Sequence, residues 1–344
     1  MCDMASPSLV RAHVQTASAD LSQAKAQHYI PKFYLKGFTD KQRALWVYER
    51  FKPIRQSAPK QEAHRPDYYT HSEDGQRDET AEDVLKGIES RVAPIILKLA
   101  NPQYILSRKS ASDLVVFVAF MFARVPSWRE YLDTITGKII KQNQQKIAGD
   151  KEKFHKLWGE FEKTTGKSLR TDAEKMRQYV LKGEFDIEQN SAAFNLGAMF
   201  TSALQIIETF QEFGYEALYA PEGKFFMTSD CPVYTVHPDN DGKATIGMGF
   251  GWPKVEVYFP LNKRTCLRMK RGVRPKGRFI VGGYVDTIND LILAHATKYL
   301  YSCERYRRIT RLFDERGCKV RPGKESFLST QPSNHGQLFS RHKK

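Results

Sequence analysis

His28-Tyr29-Ile30-Pro31-Lys32-Phe33-Tyr34-Leu35-Lys36-Gly37-Phe38 gathers four aromatics, a histidine and a proline into eleven residues, directly after a polar leader rich in Ala, Ser and Gln. Pro31 lacks an amide hydrogen, fixes its own φ and pushes Ile30 towards an extended backbone. The chain therefore arrives extended and can turn helical at Pro31, a favourable first helical position. From there Phe33, Tyr34, Leu35 and Phe38 offer a broad apolar surface, and Gly37 suits a helix end. Aromatics at this density predict a buried segment. His28, at the mouth of the turn, has two readings: a satisfied structural histidine, or a general base or ligand that titrates near neutral pH.

Working outward, 344 residues are enough to bury a substantial core. A hydrophobic content of 41 % with 12 % aromatic residues is that of a globular chain, not a disordered one. No apolar run approaches the ~20 residues of a membrane span, and the leader has no continuous apolar stretch of the signal-peptide kind. The five cysteines are scattered without a Cys-x-x-Cys pair, which fits reduced thiols and a cytoplasmic protein. The net charge of +15 is the outlier. It favours association with polyanions wherever it is clustered.

Along the chain, residues 1–26 read as a disordered arm, 27–318 as one α+β domain and 319–344 as a flexible basic tail. Within the domain, 27–213 is mainly helical and 214–318 mainly strands with a closing helix. Val84, Ile88, Val92, Ile95, Ile96 and Leu99 recur at helical spacing and predict a helix over 80–99 that contains Pro94. Ser110, with Asp113 three residues on, predicts the cap of a central buried helix ending at Val125. Residues 138–182 hold twelve Lys/Arg against six Asp/Glu and predict projecting amphipathic helices with a solvated face. A long helix over 186–213 follows, with Asn195, Thr201 and Ser202 near its buried side. Short strands are predicted over 215–219, 224–227, 233–236, 255–259, 265–269 and 278–285. A helix capped at Asp286 or Thr287 should run to Tyr299, and a last short element over 306–313. The helices are expected to pack on one face of a mostly antiparallel sheet.

The opening motif resembles that of the family called domain of unknown function 4238. Further pieces resemble it in the family's order: Leu45-Trp46-Val47-Tyr48, Tyr68-Tyr69-Thr70, Ile88-Glu89-Ser90, Arg124 with Pro126, Met227 to Val233, Phe259-Pro260-Leu261, and Asn289 before Tyr299-Leu300-Tyr301-Ser302. The resemblance covers roughly residues 27–303. It implies a domain extent and a set of residues, and it carries no reaction with it.

The candidate catalytic residues are His28, Glu89, Arg124, Asp230 and Asn289. Arg124 closes an apolar helix, where a guanidinium must be paired or solvated. It reads either as a structural ion pair or as an anion clamp. Asp230, after Thr228-Ser229, reads as a carboxylate at a sheet edge or as an Asx-type turn. Asn289 binds a ligand or ties its helix to a loop. His-x-x-x-His and Gly-x-Ser-x-Gly are absent, which argues against a zinc hydrolase and a serine nucleophile. A Mg²⁺ site built on Glu89, Asp230 and His28 needs only carboxylates, water and a substrate phosphate. Gly247-x-Gly249-x-Gly251 reads as a loop, because Trp-Pro and not a helix follows it.

Residues 263–278 hold eight basic side chains and no acidic one. Lys263, Arg264, Arg268, Lys270, Arg271 and Arg274, with Ser229, are the candidate substrate-binding residues. If 265–269 and 278–285 pair as a hairpin, its turn is a cationic finger able to grip phosphates without reading bases. Arg305, Arg307, Arg308 and Arg311 form a second cluster. Two functions compete: a phosphate-directed hydrolase acting on nucleic acid, and a non-catalytic nucleic-acid-binding or protein-interaction module.

Overall fold

The computed structural model describes residues 25–314 apart from 74–75, 167–170, 188–190, 239–243, 247–248, 307–308 and 310. The expected arm up to residue 24, the tail, Gly247, Arg307 and Arg308 therefore lie outside the described residues. The fold is α+β.

The chain enters as β1 (Ala26–His28), turns at Pro31 into the short helix α1 (Lys32–Lys36) and continues through β2 (Leu45–Glu49), β3 (Arg55–Ser57) and β4 (His64–Pro66). A small ribbon of β5 (His71–Glu73) and β6 (Gln76–Asp78) follows. Next come the helices α2 (Thr80–Lys98), α3 (Arg108–Ala123), α4 (Pro126–Gly149), α5 (Lys151–Thr165), α6 (Ala173–Lys182) and α7 (Ala192–Phe210). The second half holds β7 (Phe213–Tyr219), β8 (Thr228–Ser229), β9 (Tyr234–Pro238), β10 (Ala244–Ile246), β11 (Glu256–Asn262), β12 (Thr265–Arg271), β13 (Lys276–Phe279), α8 (Gly282–His295) and β14 (Tyr299–Ser302).

A six-stranded sheet runs β10-β9-β11-β12-β7-β13, antiparallel except for the parallel β13–β7 pair. A four-stranded sheet, β3-β2-β14-β8, joins the N-terminal motifs to the end of the domain. Strand alternation divides the core in two. Val257, Phe259, Leu267, Met269 and Tyr215 face the helices α1, α2, α3 and α7. Tyr258, Cys266, Leu218 and Tyr234 face α8 on the opposite side. The opening motif behaves as a buried insert: Tyr34 stacks on Phe259 at 5.2 Å and donates its hydroxyl to the Pro260 carbonyl at 2.6 Å.

Several local expectations are corrected. Helix α3 is capped by Ser107, whose hydroxyl accepts the Ser110 amide at 3.1 Å, and Asp113 instead meets Arg91. The 224–227 segment is not a strand, and α8 starts at Gly282, inside the span expected to be extended. Helix α8 ends at His295, short of Tyr299, which instead opens β14. The hairpin of 265–269 with 278–285 does not form. Strands β12 and β13 lie on opposite sides of β7, the first antiparallel to it and the second parallel. The reason is long-range burial: Val285 joins Ile288, Leu291 and Ile292 on one helical face packed against the sheet, which draws 282–285 into the helix and out of the expected strand.

Helix α3 ends where Pro126 forbids its continuation, and Val125, preceding a proline, is extended. The axis of α4 departs at 62° to that of α3. Helix α4 then leads into α5 and α6, which pack on it and bury none of their own residues. The three make a lysine-rich arm. Among the described residues no single helix is long and apolar enough to cross a membrane.

Candidate anion-binding cleft

The α3–α4 bend presents Arg124, which is only 2 % exposed. Its Nη1 donates to Glu89 Oε1 of α2 at 2.8 Å, and its Nη2 lies 2.8 Å from Met121 Sδ. The guanidinium also lies over the Phe117 ring at 5.9 Å. Its Nε is buried without an acceptor. Across from it, in the first turns of α7, Asn195 is 9 % exposed and its amide Nδ2 is equally without a partner. Both residues line a chamber of about 20 Å³, together with Tyr68, Tyr69, Arg129 and Met199.

A larger cleft of about 430 Å³ adjoins it and shares Tyr68 and Arg129. Arg65, Asp67, Glu130 and Asp133 complete its polar wall. The guanidinium of Arg129 lies 5.5 Å from the Tyr68 ring centre and that of Arg65 lies 5.8 Å from it. Burial raises the Asp133 carboxyl above its ordinary value, against the opposing charge of Arg129. Burial likewise lifts the Tyr68 phenol, to about 12, so it stays protonated at neutral pH.

The opening motif builds this cleft from behind. Strand β1 pairs with β4, setting Gln27 opposite Arg65 and His28 opposite His64. The Gln27 side chain donates to Thr70 Oγ1 at 2.9 Å and accepts the Tyr69 amide, fixing the loop that carries Tyr68. The rings of His28 and His64 lie 5.3 Å apart. Burial first, and the neighbouring His64 second, hold His28 below its usual pKa, so it is neutral at pH 7. Its Nε2 is buried without a partner, but His28 lines neither cavity.

The structure thus places the sequence candidates in three groups. His28, Glu89 and Arg124 stand behind the cleft. Asp230 and Asn289 belong to an interlock elsewhere. Asp230 accepts the backbone N–H groups of Thr297, Lys298 and Tyr299 at 2.9, 2.7 and 3.2 Å. Asn289 accepts the Met227 amide at 3.0 Å and donates to the Phe225 carbonyl at 2.9 Å. Ser229 accepts the Cys231 amide at 3.1 Å. Together they tie the 225–231 segment to α8 and to the entry of β14.

The third group is the basic run. Lys263 donates to the Thr39 carbonyl, and Arg264 to those of Pro221 and Lys224. Arg268 bridges Glu216 at 2.6 Å and Glu256 at 2.5 Å, Lys270 reaches Glu256, and Arg271 pairs with Glu212 at 2.8 Å. Arg274 lies in the β12–β13 connection, away from the cleft. The expected cationic finger is therefore replaced by cross-strand ion pairs. Among the described residues no group of three or more His, Cys, Asp or Glu side chains is gathered as a metal would require, and the Glu89 and Asp230 carboxylates face different partners.

Sequence reasoning missed Arg65, Arg129 and Asp133. The first two lie 64 positions apart, and only the β1–β4 pairing and the α3–α4 bend bring them to one tyrosine. Tyr68 was visible within the Tyr68-Tyr69-Thr70 motif, and Asn195 as a polar residue near a buried helix face.

The molecule is thus an α+β protein with a cleft at the root of a helical arm, walled by Arg65 and Arg129 together with Asp67, Glu130 and Asp133. Residues 26–305 match the family model described as Protein of unknown function (DUF4238), and the chain belongs to that family. No curated protein and no solved structure matches it.

Proposed function

We propose that the protein is a phosphate-directed hydrolase acting on nucleic acid, with the Arg65–Tyr68–Arg129 cleft as its substrate site. The observation that carries this reading is the pair of guanidinium groups within 6 Å of one tyrosine ring at the mouth of a 430 Å³ cleft. Guanidinium forks match phosphate oxygens in shape and charge. The volume falls in the range of small-molecule sites, about 300–1,000 Å³. Helix α4, which supplies Arg129, continues into the lysine-rich arm, so a polyanion held at the cleft has further cationic surface beside it. Asp133, whose carboxyl burial raises above its ordinary value, is the group we assign to protonate a leaving oxygen while water attacks phosphorus. Glu89 and His28 act as positioning residues, through Arg124 and through the β1–β4 ribbon.

The non-catalytic reading is favoured by one observation: every polar atom of the Asp230–Asn289 pair is spent on backbone groups, which is a structural use. Cleavage and binding assays on single- and double-stranded DNA and RNA separate the two. The hydrolase reading expects Asp133→Asn to abolish cleavage and keep binding, and Arg129→Ala to weaken binding about tenfold and cleavage with it. Salt-sensitive binding without turnover, with or without Mg²⁺, selects the binding module. Neither binding nor turnover refutes both.

A further inference from the structure

The inner chamber offers two hydrogen-bond donors and nothing to receive them. Arg124 Nε and Asn195 Nδ2 are both buried and unpartnered, and both residues line it. Its volume of about 20 Å³ admits one water-sized atom and excludes a larger group. Two unpartnered donors call for an atom that accepts, and a phosphoryl oxygen is such an atom. Glu89 engages Nη1 of Arg124 and leaves the Nε edge for the chamber. The shared wall of Tyr68 and Arg129 sets the chamber directly against the outer cleft.

We propose that this chamber is an oxyanion subsite: it takes one terminal oxygen of a phosphate group whose remaining atoms lie in the outer cleft, with Arg124 and Asn195 as its donors. The proposal rests on the outer cleft being a phosphate site, and it adds that the phosphate inserts by one oxygen rather than lying across the surface. A phosphodiester in mid-strand has two non-bridging oxygens and can present one of them. A terminal phosphate presents one just as well, so both can dock.

The test is titration of the full chain with inorganic phosphate by calorimetry, for wild type, Asn195→Leu and Arg129→Ala. Asn195→Leu removes one donor and fills the chamber, and it should weaken phosphate by about tenfold or more. Wild-type affinity in Asn195→Leu, with Arg129→Ala weakened, overturns the subsite and leaves the outer cleft standing. No phosphate binding by wild type refutes the cleft itself, and the subsite with it. If Asn195→Leu fails to fold, the side-chain Nε–H resonance of Arg124 in wild-type protein decides. A saturable shift with phosphate supports the subsite. An unmoved resonance while phosphate binds overturns it.

Discussion

Two sets of arginines in this molecule are built in opposite ways. On the six-stranded sheet, Arg268 sits directly across from Glu216 in the β12–β7 register, and Lys276 faces the same glutamate from the other side of β7. Burial pushes the Glu216 and Glu256 carboxyls up, but the cations around them prevail and hold both below the usual range. These charges cancel locally and stitch strands together. At the cleft, Arg65 meets Glu130 only at 3.8 Å, and among the described residues Arg129 has no carboxylate within ion-pairing distance. What separates the two sets is the neighbouring strand or helix, not the density of basic residues along the chain. In the richest basic run, Arg268, Lys270, Arg271 and Lys276 are held by the carboxylates of Glu212, Glu216 and Glu256.

The largest effect should come from breaking the sheet set. Arg268→Met strands two buried glutamates, and removing one partner of a buried ion pair typically costs 3–5 kcal/mol. Because Lys276 and Lys270 remain, the loss should fall near the low end, about 3 kcal/mol in urea unfolding. Phosphate affinity should not change. A parallel loss of affinity would mean that the sheet cations serve the ligand after all.

Asp230 sharpens the contrast from the anionic side, since it is held by amides and not by a cation. Burial raises its carboxyl from 3.8 to about 6, against three backbone donors and the charge of Arg50. The folded state therefore binds this proton more tightly than the unfolded chain does. Its contribution to stability is complete below about pH 4 and is lost as pH rises through about 6, an effect on the order of 2–3 kcal/mol. Asp230→Asn should abolish that dependence, so the stability difference between the two proteins should shift between pH 4 and 7 in favour of the variant. A flat difference would show that the three amides fully offset burial.

How much of this was legible beforehand follows from the range of the interactions. Helix α2 could be read because its apolar positions repeat within one segment, and the burial of Tyr34 and Phe38 because aromatic density alone demands it. The first turn of helix α8 was hidden by Gly282 and Gly283, poor helix formers whose cost is offset by the face packed against the sheet. The parallel pairing of β13 with β7 has no local signature at all. Arg124 could be singled out because a charge ending an apolar helix is anomalous. Arg65 and Arg129 sit among polar neighbours and look ordinary until β4 and α4 meet at Tyr68.

The smallest expected effect bears most directly on the cleft set. Arg129→Ala removes a guanidinium that makes no ion pair among the described residues, so stability should change by less than about 0.5 kcal/mol. Its consequence should appear in binding, as a uniform loss of about tenfold across nucleic-acid sequences. The logarithmic salt slope should drop by about one, the signature of one phosphate contact removed. Arg268→Met, by contrast, should leave that slope unchanged, because a cation already neutralised by glutamates releases no counterion when a phosphate arrives. If both variants lower the slope equally, the division into structural and ligand-binding arginines fails. If only Arg129→Ala does, the cleft is where the protein's excess charge meets its ligand.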